Sequence, residues 1–133
     1  MIEKTLVIIK PDAFSKGNIG RIISIYESGG LSVEKAKVLV PSKEMLRRHY
    51  REHTEKPFFD SLIASMSSGK VMALVISGEF AVTRVRGMNG ATDPVNAEEG
   101  TIRNLYGTDV QANAVHGSED VHAAKEEIGL WFE

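Results

Sequence analysis

Two apolar runs, Leu6-Val7-Ile8-Ile9 and Val71-Met72-Ala73-Leu74-Val75-Ile76, contain no polar alternation, the pattern of strands buried on both faces. The second run lies between Gly69 and Gly78 and reads as a central strand. The first ends at Lys10-Pro11-Asp12, because proline cannot extend a central ladder, and so delivers Lys10 to its tip. Helical spacing recurs around these strands. Ile19, Ile22, Ile23 and Tyr26 predict a helix after Asn18 as N-cap, closed by Gly29-Gly30. Met45, Leu46, His49, Tyr50 and His53 predict a second from Ser42, and Phe58, Phe59, Leu62, Ile63 and Met66 a third with Pro57 in its first turn. Phe80 to Met88 is weakly helical, and Val121, Ala124, Ile128 and Trp131 form the last helix, with Ser118 as its N-cap. Leu31 to Val40 slips phase between Val33 and Ala36, which predicts a bulged strand, and Val110 to Val115 reads as a short one. Residues 89–109, punctuated by Asn89-Gly90, Asp93-Pro94, Gly100 and Gly107, read as a long excursion loop, and such loops are usually functional. The alternation of strand and helix, taken alone, points to a parallel doubly wound sheet.

With 133 residues, 42% hydrophobic and 26% charged, and no internal repeat or linker, the chain reads as one domain, residues 1–133. Sixteen basic residues against eighteen acidic ones give a net charge of −2, which argues against a protein that coats nucleic acid or an anionic membrane. Without cysteine there is no disulfide framework, thiol nucleophile or thiolate metal site. No export signal and no apolar stretch of the ~20 residues needed to span a bilayer is visible, so a cytoplasmic location is expected.

Common phosphate-binding signatures are missing. Gly69-Lys70 lacks the earlier glycine and the following Ser/Thr of a P-loop, and no G-x-G-x-x-G follows a strand. The strongest local signal is Asn113-Ala114-Val115-His116-Gly117-Ser118, a histidine at a strand-to-helix junction. A histidine alone is more often structural than nucleophilic. Here Gly117 removes steric cover beside the ring, and Glu127 lies about two and a half turns into the following helix, where a carboxylate could orient an imidazole.

The chain resembles nucleoside diphosphate kinases along essentially its whole length. The resemblance runs from Thr5-Leu6-Val7-Ile8-Ile9-Lys10-Pro11-Asp12-Ala13 through His49-Tyr50, Lys56-Pro57-Phe58-Phe59, Gly90-Ala91-Thr92-Asp93-Pro94 and Gly100-Thr101-Ile102-Arg103. It continues over Asn113 to Ser118 and the closing Glu127-Ile128-Gly129-Leu130-Trp131-Phe132. It implies a ferredoxin-like α+β sandwich with a four-stranded antiparallel sheet, and transfer of a γ-phosphate between nucleotides by a ping-pong route, with His116 phosphorylated in between. Matching by motif, Lys10, Arg86 and Arg103 would surround the phosphates, Thr92 would donate a hydroxyl, and Asn113 would meet the sugar. Phe58, Leu62 and Val110 would clamp the base without reading its edge, which implies broad specificity. Tyr50, Ser118 and Glu127 would stand around the nucleophile, with Glu52 a second acidic neighbour and His53 near phosphate. Mg2+ carried by the nucleotide, nucleoside triphosphates and diphosphates as partners, and a tetrameric or hexameric homo-oligomer are further implied; neither membrane nor nucleic acid is required. No protein cage for the metal is expected.

Departures from the family pattern are Glu119 and Asp120 after His-Gly-Ser, which keep negative charge at a helix N-terminus, and Gly87 and Asn89 around Met88, which predict a looser lead-in to the excursion. Two rival readings are a non-catalytic nucleotide-binding module and a histidine-phosphotransfer signalling protein. The first lacks support because the nucleophile and cations are present, the second because Phe58, Thr92 and Asn113 outline a nucleotide pocket. His49 and His122 have no assignable role, and Arg47, Arg48 and Arg51 read as a solvated helix face.

Overall fold

The apolar runs become β1 (Ile2–Ile9) and β3 (Val71–Glu79), paired antiparallel with Leu6 opposite Val75 and Ile8 opposite Ala73, in a computed structural model describing residues 1–132. They form the middle of a four-stranded sheet of order β2-β3-β1-β4, with β2 spanning Ser32–Leu39 and β4 Val115–Gly117. Every pairing is antiparallel. Both faces are covered, as the missing alternation demands. Leu6, Ile8, Val71 and Ala73 pack with Leu46, Phe59, Ile63 and Trp131, while Val7, Ile9, Leu74 and Ile76 pack with Ile22, Tyr26, Val85 and Ile102. One layer is therefore α3 (Lys43–His49), α4 (Phe59–Met66) and α7 (Val121–Phe132), and the other is α2 (Ile19–Ser28), α5 (Ala81–Asn89) and the five-residue α6 (Ile102–Tyr106). A further short helix, α1 (Pro11–Ser15), follows β1.

The parallel sheet suggested by alternation is not formed, and the reason is topological. β1 and β2 run parallel but are separated by β3, and β3 and β4 run parallel but are separated by β1. Two βαβ units are thus interleaved, one strand of each, β1 or β3, lying between the two strands of the other unit, the split βαβ of ferredoxin-like folds.

The bulge in β2 falls between Val33 and Lys35, where the phase slip placed it. Three local expectations are corrected. The fourth strand covers Val115–Gly117 rather than Val110 to Val115, because Asp109 Oδ1 accepts from the backbone N–H groups of Gln111 and Ala112 and curls that segment into a turn. The last helix starts at Val121 with Asp120, not Ser118, accepting from Ala123 N. Within the excursion, α6 is capped by Thr101, whose hydroxyl accepts from Asn104 N. Asn89 does not loosen the lead-in to that excursion: it is buried and accepts a hydrogen bond from Tyr26. At the start of the excursion Gly90 has φ +87°, and a Cβ there would lie 2.5 Å from Thr101 Oγ1, so only glycine lets the two segments close.

Candidate active site

The end of β1 and the loop before β4 are tied together, which fixes the first wall of the site. Lys10 N donates to Ala114 O at 2.8 Å, and Asp12 Oδ2 accepts from Ala114 N at 3.0 Å, holding Ala114 at φ +73°. Lys10 Nζ donates to Asn113 Oδ1 at 2.8 Å and to Gln111 O at 3.4 Å, while Asn113 Nδ2 donates to Thr92 O and Val110 O. Asn113 thus joins Lys10 to the excursion. Burial lowers the Lys10 ammonium to about 8, Arg103 acts in the same direction, and Asp12 and Asp109 oppose it.

His116 sits on the edge strand β4 opposite Ile8, with its neighbours Val115 and Gly117 buried. Its Nε2 donates to Glu127 Oε1 at 2.8 Å, and Ser118 Oγ donates to the same oxygen at 2.9 Å while accepting from Leu6 N at 3.2 Å. The fully buried Ser118 therefore anchors the carboxylate to β1 instead of capping a helix. Burial disfavours the Glu127 charge, but His116, His49 and the Ser118 hydroxyl outweigh it and hold the carboxyl below the usual range. With Nε2 donating, the lone pair of the imidazole rests on Nδ1.

His49 completes this cluster, a role that the sequence reading missed. Its ring meets those of His116 and Tyr50 edge-on at 4.6 Å, and its Nδ1 accepts from Trp131 Nε1 at 3.0 Å. Burial and the adjacent His116 push it down to about 3, so it is a neutral prop against the His116 ring. Its place in the apolar stripe with Leu46 and Tyr50 is the signal that could have revealed it. The Tyr50 hydroxyl is buried without a partner among the described residues, and burial keeps it well above the usual tyrosine range, hence a protonated donor. Glu52 is exposed in the 3-10 turn Arg51–His53 and makes no side-chain hydrogen bond among the described residues. The acidic partner is Glu127. His53 is half-buried between Tyr50 and Phe58, its Nδ1 unpartnered. His122 is solvent-facing.

Beside Gly117 lies a cavity of about 110 Å3 walled by Arg86, Asn89, Gly90, Ala91, Thr92 and Arg103. Arg86 is exposed and makes no side-chain hydrogen bond or ion pair among the described residues. Arg103 donates from Nη1 to Gly90 O at 2.8 Å and from Nη2 to Val115 O at 2.9 Å, while its buried Nε has no partner among the described residues. Burial pushes this guanidinium down, Tyr26 raises it and Arg86 lowers it further. A larger hollow of about 310 Å3 lies between Pro11, Phe14, Ser65 and Lys70. It lacks a cluster of cations and a nucleophile, so the chemistry favours the smaller cavity.

The three residues expected at the base differ in exposure. Phe58 is 44% exposed and Val110 57%, whereas Leu62 is 8% exposed and packs in the core with Phe59 and Ile63. The α4 stripe turns Leu62 inward and leaves Phe58 exposed at the helix start. Lys56 Nζ stands 5.7 Å over that ring, and Ser61 Oγ donates to Gln111 Oε1, bridging α4 to the loop that carries Val110.

The sequence pattern of the nucleoside diphosphate kinase family matches residues 3–133. The chain belongs to the nucleoside diphosphate kinase family. It is 51% identical over 131 residues to the nucleoside diphosphate kinase of Caldanaerobacter subterraneus subsp. tengcongensis, covering 98% of this chain and 94% of that one. With the Thermobifida fusca enzyme identity is 46%, over 98% and 97%. Among solved structures, the Aquifex aeolicus nucleoside diphosphate kinase superposes with a TM-score of 0.98 at 38% identity, covering 100% and 96%. The Halobacterium salinarum enzyme, solved in complex with CDP, gives 0.97 at 42%, covering 100% and 89%. As a nucleoside diphosphate kinase the protein transfers the γ-phosphate of a nucleoside triphosphate to a nucleoside diphosphate by a ping-pong route through a phosphohistidine. A divalent cation accompanies the nucleotide in this family's catalysis. Among the described residues no helix is long and apolar enough to cross a membrane.

Proposed function

We propose that His116 is the residue phosphorylated, and that the cavity beside Gly117 seats the phosphate chain. One observation carries this reading: Nε2 is committed to Glu127, so Nδ1 is the nitrogen with a free lone pair. In the first half-reaction Nδ1 bonds to the γ-phosphorus, the bond from phosphorus to the β,γ-bridging oxygen breaks, and the diphosphate leaves. The second half-reaction reverses these steps onto another diphosphate, so one pocket serves both nucleotides. The Nε2 proton stays on the ring, and Glu127 balances the positive charge that the imidazole acquires on attack. Arg86, Thr92, the remaining N–H groups of Arg103 and Lys10 neutralise charge on the phosphate oxygens. Asn113 meets the sugar, Tyr50 donates near the reacting group, and Phe58 with Val110 holds any flat base by stacking, giving broad specificity.

Mg2+ is the expected divalent cation, neutralising adjacent phosphates. The only group of three metal-ligating side chains among the described residues is His49, His116 and Glu127, in which Glu127 Oε1 accepts from His116 Nε2 and Ser118 Oγ, and His49 Nδ1 accepts from Trp131 Nε1. Asp12 and Asp109 accept backbone N–H groups at the mouth. These residues fit a cation that arrives on the nucleotide and keeps its water, not a resident metal. A tetramer or hexamer of this single domain is supported by the exposed edge strand β2, where Val38 and neighbouring Val40 are 48% and 57% exposed. A cytoplasmic enzyme fits the cysteine-free chain.

Incubation with a γ-labelled triphosphate should give an acid-labile phosphoprotein that discharges onto added diphosphate; wild-type protein that never labels would sink the proposal. Lys10 sets a pH limit. It is cationic below about 8 and loses its proton as the pH rises through that value. The kcat/KM profile should therefore fall on its alkaline side from about pH 8, and that arm should vanish in Lys10→Gln, whose value at pH 7 is ~10–100-fold lower. In stability the sign is the reverse: the buried ammonium is unfavourable below about 8, and the penalty fades as pH climbs towards 10.5. Phe58→Ala should raise KM for purine and pyrimidine diphosphates alike by about tenfold, because stacking energy is lost without any edge contact. A change confined to one base would contradict a clamp that does not read the edge.

A further inference from the structure

Tyr26 and Asn89 take no part in the steps above, yet both are buried behind the phosphate cavity. Tyr26, on α2, is fully buried, and its hydroxyl donates to Asn89 Oδ1 at 2.5 Å. Burial keeps that hydroxyl well above the usual tyrosine range, so it remains a donor at any working pH. In the structure the amide oxygen faces Tyr26, and the nitrogen lies against Gly117, where an added Cβ would meet Nδ2 at 2.8 Å. Asn89 is 1% exposed, and its Nδ2 donates to no acceptor among the described residues. The same side chain forms part of the cavity wall beside Arg86, Thr92 and Arg103.

An amide NH2 on a cavity wall, without a protein acceptor among the described residues, is free to donate to a group seated in the cavity. Two guanidinium groups and a threonine hydroxyl on the same wall make an anionic oxygen the fitting acceptor. We propose that Asn89 is a further nucleotide-binding residue, its Nδ2 donating to an oxygen of the phosphate chain seated between Arg86, Thr92 and Arg103, and that Tyr26 is a positioning residue that holds the amide in that orientation. This rests on the reading of that cavity as the phosphate site. The polar pair reaches from α2 through the core to the ligand, and Gly117 leaves room for the amide.

The test separates binding from packing. Tyr26→Phe and Asn89→Leu combined remove both partners of the buried hydrogen bond, so the double variant should keep a melting temperature near wild type. Its KM for the diphosphate should rise about tenfold, with a smaller change in kcat. Asn89→Asp keeps the acceptor for Tyr26 and the shape of the side chain but replaces the donor with a carboxylate oxygen. Its KM should rise about a hundredfold, the lost hydrogen bond being joined by repulsion of the phosphate. Tyr26→Phe alone should give an intermediate KM, because the amide can then turn. Wild-type KM in the double variant and in Asn89→Asp would reduce Asn89 to a packing residue and overturn the proposal, even with the phosphoprotein intact. Should the double variant fail to fold, Asn89→Asp decides by the same measurement. Wild-type protein that does not label from triphosphate would instead overturn the reading of the site itself.

Discussion

Alanine at His116 is expected to lower kcat by at least ~10^4-fold and to abolish labelling from a γ-labelled triphosphate, while the protein stays folded. The size follows from the chemistry. Without the imidazole there is no covalent intermediate, and the binding groups that remain can only hold two nucleotides in turn, with nothing to carry phosphate between them. The fold should survive because His116 lies on a three-residue edge strand with its side chain 17% exposed, and its deletion breaks only one side-chain hydrogen bond, to Glu127. Glu127 keeps the Ser118 hydroxyl and so is not stranded. Circular dichroism and a thermal melt beside the labelling assay separate the two effects. A His116→Ala protein that melts like wild type and still turns over at wild-type rate would remove His116 from the reaction.

How much of this could be read from residues alone differs from element to element. The two unalternating runs announced strands buried on both faces, because no other arrangement covers such a surface, and β1 and β3 are those strands. Their antiparallel pairing was invisible in periodicity: each βαβ unit is locally ordinary, and only the interleaving of the two decides the sheet. The bulge in β2 was legible because an extra residue shifts the apolar phase, a local signal. His116 and Glu127 were legible for a similar reason, both lying within one strand-helix segment. Ser118 was not. Its hydroxyl serves Leu6 N, 112 positions away, and no local rule could choose that partner over a helix cap. His49 was lost likewise, since Trp131, which fixes it, is 82 positions distant. Leu62 belongs both to the pair with Phe58 and to the buried stripe shared with Phe59, Ile63 and Met66, and spacing alone does not say how far it is exposed. Asn89 read as a loosening polar residue until Tyr26 supplied its partner from another helix.

Arg103→Leu is expected to be the most damaging change outside His116, because it removes a proposed phosphate ligand and a structural staple at once. The side chain carries five N–H donors, and two of them hold the carbonyls of Gly90, at the start of the excursion, and of Val115, at the start of the edge strand. Loss of both bonds leaves carbonyls short of a donor, at about 1–3 kcal/mol each, so a destabilisation of about 2–6 kcal/mol and a melting temperature lower by ~10 °C or more should follow. The excursion would then no longer be pinned to β4, and Thr92, which sits on it, would lose its place beside the cavity. Activity should fall by ~10^3-fold in kcat/KM, exceeding what one lost phosphate contact would give. Arg103→Lys separates the parts. An ammonium restores the charge but has no planar fork to span two carbonyls, so it should recover part of the phosphate affinity and little of the thermal stability. If Arg103→Lys regained the melting temperature while remaining inactive, the staple would not depend on the fork, and the double role assigned to Arg103 would be wrong.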